Sequence, residues 1–180
     1  MRITILANRD LPSNYALNLL MKLLDAHELT VFLSDRVGKK SDKHPSLQNL
    51  EFFEHALFLK ILYPLVSRHK RKLLSFNEMG QEFGCSIDSL NGINAGTEFN
   101  QFVETKPDLV ITLRYGVILK EQVISIPKFG VINLHSGILP DYKGVMATFR
   151  AMLNKENTIG TTLHYITDSS IDEGPVIGTT

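Results

Sequence analysis

The feature that most constrains the fold is the order of apolar runs and helical patterns at the start of the chain. Residues 2–8 form a β-branched, apolar run of the kind that makes a buried parallel strand, and residues 28–33 form a second run. Between them, residues 15–26 carry leucine and methionine at helical spacing, with Ser13 placed to cap the helix. Strand, helix and strand in this order predict a parallel sheet with a crossover helix.

The same alternation continues along the chain. An apolar stripe over residues 53–65 indicates a helix, and a second helix over residues 97–104 has Thr97 as its expected cap. The basic run over residues 68–72 is interpreted as a solvated helix face. Further strands are predicted over residues 85–90, 108–114, 130–135 and 158–166. The pattern as a whole predicts a doubly wound α/β sheet with flanking helices.

Composition and charge limit the class of protein. The length of 180 residues fits one domain around one core. Nineteen basic residues balance nineteen acidic ones, so no net charge attracts nucleic acid or an anionic membrane. The single cysteine, Cys85, excludes an internal disulfide and favours a cytoplasmic location. The start lacks a signal-peptide pattern, and no apolar stretch reaches the roughly 20 residues of a membrane span.

Polar residues stand where the predicted strands finish, which is where open α/β sheets bind ligands. After the first strand, Asn8-Arg9-Asp10 has no Gly-rich turn, and Gly-x-Gly-x-x-Gly is absent from the chain, which argues against a dinucleotide fingerprint. Near the end of a later strand, alternation puts Asn133 and His135 on one face. With Asp172 on a later turn, these side chains can form an acid/base and oxyanion site. Taken singly, each is explained as well by ordinary hydrogen bonding at a strand end or turn.

Several short motifs in the second half of the chain resemble the folate-dependent formyltransferases. They are Asn-Leu-His-Ser at 133–136, Leu-Pro at 139–140, Tyr-Lys-Gly at 142–144, Gly-Thr-Thr-Leu-His at 160–164 and Asp-Glu-Gly-Pro-Val-Ile at 172–177. The resemblance implies one Rossmann-like, mostly parallel catalytic domain over residues 1–180. It would stop at Thr180 in its final strand, without the long terminal helix common in the family, as in a truncated chain.

The resemblance also implies three catalytic residues and no metal. Asn133 and a protonated His135 would stabilise the oxygen that becomes negative when an amine attacks the formyl carbon of 10-formyltetrahydrofolate. Asp172 would favour the imidazolium and help to remove the amine proton. Between His164 and Asp172 the chain is one residue longer than the family pattern, through residues 168–170. Asp172 is preferred to Asp168 because Asp-x-Gly-Pro-Val-Ile is the stronger match.

Two segments are expected to contact the folate, because they resemble the family segments on either side of the pterin ring. The candidate residues are Tyr115, Val117, Ile118 and Leu119 on one side and Ile166, Thr167 and Asp168 on the other. Ordinary loop packing is an equal alternative for the residues of the first segment. Gly144 is expected to permit a turn that other residues resist.

Comparison within the family reduces the number of candidates for the acceptor amine. Glycinamide ribonucleotide enzymes hold a phosphate on a Gly-rich loop after the first strand, where this chain has Asn8-Arg9-Asp10. Methionyl-tRNA formyltransferases add a C-terminal domain and need basic surface, and neither is expected in this chain of zero net charge. Elimination leaves a small-molecule amine, such as an amino sugar on a nucleotide carrier. The alternatives are those two acceptors, hydrolysis of 10-formyltetrahydrofolate, and a folate- or nucleotide-binding module without turnover. The oligomeric state stays open, a homodimer included.

Overall fold

The computed structural model describes residues 1–35 and 73–180. The stripe predicted over residues 53–65 and the basic run over residues 68–72 lie outside the described residues. In chain order the elements are β1 (Arg2–Asn8), α1 (Leu11–Leu23), β2 (Glu28–Ser34), α2 (Phe76–Glu82), β3 (Ser86–Ser89), α3 (Gly96–Glu104), β4 (Leu109–Leu113), α4 (Glu121–Ile124), β5 (Val131–His135), α5 (Ala147–Leu153), β6 (Thr162–Ile166) and β7 (Val176–Thr179).

The strands in the described part of the chain form one sheet in the order β3-β2-β1-β4-β5-β6-β7. The first five strands in this order, β3, β2, β1, β4 and β5, are parallel to one another. β6 is antiparallel to both β5 and β7. The chain moves outward from β1 to β3 and returns to β4 on the other side of β1. This reversal confirms the predicted doubly wound, mostly parallel sheet, and it sets the ligand edge at the carboxyl ends of the parallel strands.

The two faces of the sheet carry separate apolar cores. On the first face, Ile3 and Ile5 of β1 pack among buried side chains that include Leu17 of α1. On the second face, Leu6 and Val131 belong to a cluster built on α3 and α4 as well as the sheet. Full burial of each such side chain contributes about 1.5–3 kcal/mol. Asn133 and His135 follow Val131 on the same face at two-residue intervals, so polar side chains begin where the second core ends.

Two predicted helix caps are wrong. Asp10, not Ser13, caps α1: its Oδ1 accepts the backbone N–H of Ser13 at 2.8 Å, so the helix begins at Leu11. The first turn also contains Pro12, which has no N–H to satisfy. α3 begins at Gly96 after Ala95, which makes no side-chain capping bond, so Thr97 is not its cap. None of the helices in residues 1–35 and 73–180 is long and apolar enough to cross a membrane.

Candidate active site

The carboxylate of Asp172, in the loop between β6 and β7, is the centre of a buried polar cluster. Its Oδ1 lies 3.2 Å from Asn133 Nδ2 and 3.2 Å from His164 Nε2. Its Oδ2 accepts the Gly144 N–H at 2.7 Å and lies 3.3 Å from His135 Nδ1. Burial raises the pKa of Asp172, but the hydrogen bonds from His164 and Gly144 and the charges of the histidines outweigh it, so the pKa lies below its ordinary value.

Local backbone geometry brings these groups together. Asn133 and His135 share a face of β5, and the antiparallel register with β6 places His164 directly opposite Asn133. Asp172 has φ 54°, the left-handed region that Asp tolerates better than most residues. Gly144 has φ 77°, which confirms the predicted turn and aims its N–H at Asp172.

The orientation of the Asn133 amide is fixed by its neighbours. Its Oδ1 accepts the hydroxyl of Thr112 at 2.7 Å, and its Nδ2 lies 3.0 Å from His164 Nε2. A reversed amide would set its oxygen against Asp172 Oδ1, at the position where Nδ2 now lies 3.2 Å away. The amide N–H groups therefore point into the cluster.

His135 is 7% exposed and faces an acceptor at each ring nitrogen. Nδ1 lies 3.3 Å from the Asp172 carboxylate, and Nε2 lies 2.6 Å from the carbonyl oxygen of Tyr142. Because neither oxygen can donate, both contacts are favourable only when each ring nitrogen carries a proton. The geometry therefore suits an imidazolium, the form that the family resemblance implies.

His164 belongs to the same cluster, although sequence reasoning gave it no role. Its side chain is 1% exposed, and its Nδ1 lies 2.9 Å from the carbonyl oxygen of Tyr165. Burial lowers the pKa of His164, but the hydrogen bonds to Asp172 and Tyr165 outweigh it and raise the pKa above the ordinary 6.5. The sequence did indicate that Thr162, His164 and Ile166 alternate along one face of a strand. It did not show that this strand pairs with β5, so the proximity of His164 to Asn133 could not be predicted.

Four of the residues predicted to contact folate belong to or pack against the core cluster on the sheet face that carries Asn133 and His135. Tyr115, Val117 and Ile166 pack against the core cluster that contains Val131. The Tyr115 hydroxyl donates to the Leu90 carbonyl at 2.7 Å, and burial raises its pKa. The remaining candidates divide by exposure: Leu119 is buried, whereas Ile118, Thr167 and Asp168 are exposed.

Asp168 has different surroundings from Asp172. Its Oδ1 accepts the backbone N–H of Ser170 at 2.7 Å within its own loop. That hydrogen bond lowers the pKa of Asp168. Asp172 is thus the carboxylate that the structure brings to Asn133 and His135.

A second polar network occupies the carboxyl ends of β1, β2 and β4. Asp10 Oδ2 accepts from Asn8 Nδ2 at 2.8 Å, from Arg114 Nε at 3.0 Å and from Arg114 Nη2 at 2.9 Å. The Ser34 hydroxyl donates to Asn8 Oδ1 at 3.1 Å and accepts the Gly116 N–H at 2.9 Å. This network holds the start of the segment that contains Tyr115 and Val117.

An amide, two imidazoles and a carboxylate that meet at the ligand edge of a doubly wound sheet are groups suited to acyl-group transfer. Residues 96–180 match the model of the family described as "Formyl transferase". This match contains the motifs at residues 133–136 and 172–177, and it confirms the predicted resemblance to the family over this part of the chain.

Similar sequences carry the name methionyl-tRNA formyltransferase. The protein of Kosmotoga olearia is 36% identical over 99 residues, which cover 55% of this chain and 32% of that protein. The protein of Fusobacterium nucleatum is 30% identical over 136 residues, covering 74% of this chain and 43% of that protein. The chain therefore spans less than half the length of these relatives.

Solved structures with the same fold carry other names. A phosphoribosylglycinamide formyltransferase from Anaplasma phagocytophilum aligns with TM-score 0.60 and 20% identity, over 99% of this chain and 69% of that one. A sugar N-formyltransferase from a Shewanella species aligns with TM-score 0.56 and 16% identity, over 100% of this chain and 56% of that one. A formyltetrahydrofolate deformylase from Pseudomonas syringae aligns with TM-score 0.60 and 19% identity, over 99% of this chain and 50% of that one. At these identities the likeness establishes the fold alone.

Proposed function

We propose that this protein transfers a formyl group from 10-formyltetrahydrofolate to a primary amine. The observation that carries the proposal is the convergence of Asn133, His135 and His164 on one buried carboxylate, Asp172. Formyltransferases of this family use 10-formyltetrahydrofolate as the formyl donor. A cytoplasmic location and a small-molecule acceptor belong to the same proposal.

The residues around the cluster fit a folate. Tyr115, Val117 and Ile166 are partly buried and pack against the core on the sheet face that also carries Asn133. A flat heteroaromatic ring needs apolar walls with a few placed polar groups, and this face offers both. The exposed Thr167 and Asp168 would border the site from the loop after β6. When bound, the folate supplies the formyl carbon and a nitrogen leaving group.

Asn133 and His135 would stabilise negative charge. Asn133 has two N–H groups and His135 has two when protonated, and in the structure they already face acceptors, so a developing oxyanion would replace one of these acceptors. One donor of this kind is typically worth about 3–4 kcal/mol of transition-state stabilisation. The contact between Asn133 Nδ2 and Asp172 Oδ1 is 3.2 Å, at the long limit for such a bond, and an oxyanion would compete with it.

Asp172 would accept the proton. As the new bond from the amine nitrogen to the formyl carbon forms, that nitrogen becomes positive and must lose one proton, directly or through water, to a base. The bond from the formyl carbon to the folate nitrogen then breaks, and that nitrogen gains one proton. Proton loss and gain balance, so the cluster ends in its starting protonation state. The Gly144 N–H keeps Asp172 aimed throughout.

Asp10 argues against glycinamide ribonucleotide as the acceptor. In those enzymes a Gly-rich loop after the first strand holds a phosphate, and a helix N-terminus is a natural site for one. Here the buried carboxylate of Asp10 already accepts the first-turn N–H of Ser13 and would repel a phosphate by its like charge. We therefore propose an amine acceptor of another type, such as an amino sugar carried on a nucleotide.

Methionyl-tRNA is the second candidate acceptor, since similar sequences at 36% and 30% identity carry that name. The test is a turnover assay with 10-formyltetrahydrofolate alone, with amino-sugar nucleotides, and with methionyl-tRNA. Formylation of the sugar amine alone supports the first acceptor, and formylation of the tRNA replaces it. Release of formate without an amine would identify a hydrolase, and folate binding without product would identify a binding module.

The same assay tests the residues. We expect Asn133→Ala and His135→Ala to fold normally and to lose at least about a hundredfold in formyl transfer, the usual scale for one charge-stabilising donor. Circular dichroism and urea unfolding would establish that the variants are folded. Rates like those of the unmodified protein in either variant would contradict the assignment.

A further inference from the structure

The two ring nitrogens of His164 have different surroundings: Nδ1 has one polar partner and Nε2 has two. Its Nδ1 points at the carbonyl oxygen of Tyr165, which can only accept, so Nδ1 carries a proton in every state that keeps this hydrogen bond. Its Nε2 lies 3.0 Å from Asn133 Nδ2 and 3.2 Å from Asp172 Oδ1. The neutral ring can accept from Asn133, whereas the protonated ring can donate only to Asp172.

The two states place different demands on Asn133. With neutral His164, one Asn133 N–H is held by the imidazole and the other points at Asp172 Oδ1. With protonated His164, two donors face each other at 3.0 Å, which is repulsive, and the imidazolium competes for the Asp172 oxygen. The Thr112 hydroxyl holds Asn133 Oδ1, so the amide cannot relieve the conflict by reversing.

We propose that His164 is a positioning residue whose neutral imidazole holds one N–H of Asn133, leaving the other for the formyl oxygen, and whose protonation disrupts this arrangement and suppresses turnover. The proposal rests on the proposed function and adds a residue with a required protonation state. The raised pKa of His164 supports it, because the contacts with Asp172 and Tyr165 favour the protonated form that the proposal assigns to the inactive arrangement.

The titratable groups that face His164 in the described residues are few. Asp172 approaches from the β6–β7 loop, and His135 from β5, with ring centroids 6.3 Å apart and an interplanar angle of 79°. A change in activity with pH can therefore arise from His135, His164 or Asp172. The test must assign the change to one of these groups.

The kinetic test compares three variants over a range of pH. His164→Gln keeps a polar side chain of similar size that can accept from Asn133 through its oxygen but cannot become charged, so we expect kcat within about tenfold of the unmodified protein and loss of the acidic limb that His164 causes. His164→Ala removes the acceptor and should lower kcat on the order of a hundredfold. His27→Gln, between α1 and β2, is the matched control and should leave the profile unchanged.

An NMR titration without substrate keeps the test independent of the acceptor and of turnover. The side-chain amide signals of Asn133 should shift with pH at the same midpoint as the ring nitrogens of His164, and this shift should vanish in His164→Gln. If the Asn133 amide signals still shift with pH in His164→Gln, at the midpoint of the His135 ring, the proposal is wrong. Absence of formyl transfer would contradict the proposed function alone, because the titration would still decide the positioning.

Discussion

Asp10 and Asp172 are both poorly exposed carboxylates that gather several donors, but their donors differ in kind. Asp10 receives a backbone N–H, an amide and the guanidinium of Arg114, none of which changes charge at ordinary pH. Asp172 receives a backbone N–H and an amide as well, but two imidazoles take the place of the guanidinium. The donors around Asp10 therefore keep their charge, whereas the imidazoles around Asp172 can gain or lose protons.

The comparison separates a structural carboxylate from one equipped for chemistry. The guanidinium of Arg114 stays charged at ordinary pH, so Asp10 keeps an ionic partner while it caps α1 and contacts the segment after β4. Imidazoles have ordinary pKa values near neutrality, so a cluster built from them can hold or pass a proton during a reaction. The same residue type therefore serves two roles, and its partners decide which.

The largest expected effect comes from Asp172→Asn. Turnover should fall at least about a hundredfold with folate affinity nearly unchanged, because the charge is used mainly in the transition state. Steady-state kinetics and folate titration measure the two quantities. The matched control is Asp168→Asn, in the same loop, which should mainly change folate affinity. The reverse pattern would make Asp168 the catalytic carboxylate and break the comparison.

Asp10→Asn should mainly affect stability. The change weakens the cap of α1 and removes the charge of the Asp10 carboxylate from its contact with the Arg114 guanidinium, so we expect the free energy of unfolding to fall by about 1–3 kcal/mol. Urea unfolding gives this value. The kcat of the folded protein should stay within a few-fold, and a collapse of kcat without a loss of stability would show that Asp10 is not structural.

The pH dependence of stability should distinguish the Asp172 cluster. The pKa of Asp172 is lowered from 3.8, so its contribution is present above that value and is lost as pH falls through the folded pKa. The pKa of His164 is raised from 6.5, so its contribution is complete below that value and is lost as pH rises through the folded pKa. The stabilisation of the pair should therefore be largest between about pH 4 and 6.5.

Urea unfolding of the unmodified protein and of His164→Gln over this range measures the contribution of His164. The difference in stability should shrink as pH rises above 6.5, while turnover of the unmodified protein increases. A stability difference that does not depend on pH would mean that His164 does not change charge in the folded protein.

The smallest effect is expected at the ion pair between Lys143 Nζ and Glu173 Oε1, which are 3.0 Å apart. Their side chains are 39% and 57% exposed, so water and salt screen the attraction. Lys143→Ala should change the free energy of unfolding by less than about 1 kcal/mol, and added salt should reduce the change further. A larger loss would show that this pair, as well as the Gly144 N–H, holds the loop against Asp172.

Local sequence patterns were sufficient for the type of fold and for two members of the cluster, and the family motif added Asp172. Apolar runs such as residues 2–8 and 130–135 have few other stable environments than a buried strand, so local pattern was sufficient for them. Two-residue alternation likewise placed Asn133 and His135 on one face. The helix starts were less accurate, because Ser13 and Asp10 are both good caps and the surroundings of Asp10 decide between them.

Only the tertiary structure decided which distant groups meet. The antiparallel pairing of β6 with β5 sets His164 opposite Asn133, and the loop after β6 carries Asp172 to both histidines. No local pattern specifies such contacts, because they depend on strand direction, register and loop path across the whole sheet. The same holds for Asp10 and Arg114, which are far apart in the chain and adjacent at the ends of β1 and β4. Residue type therefore supplied the available chemistry, and packing decided which carboxylate received titratable partners.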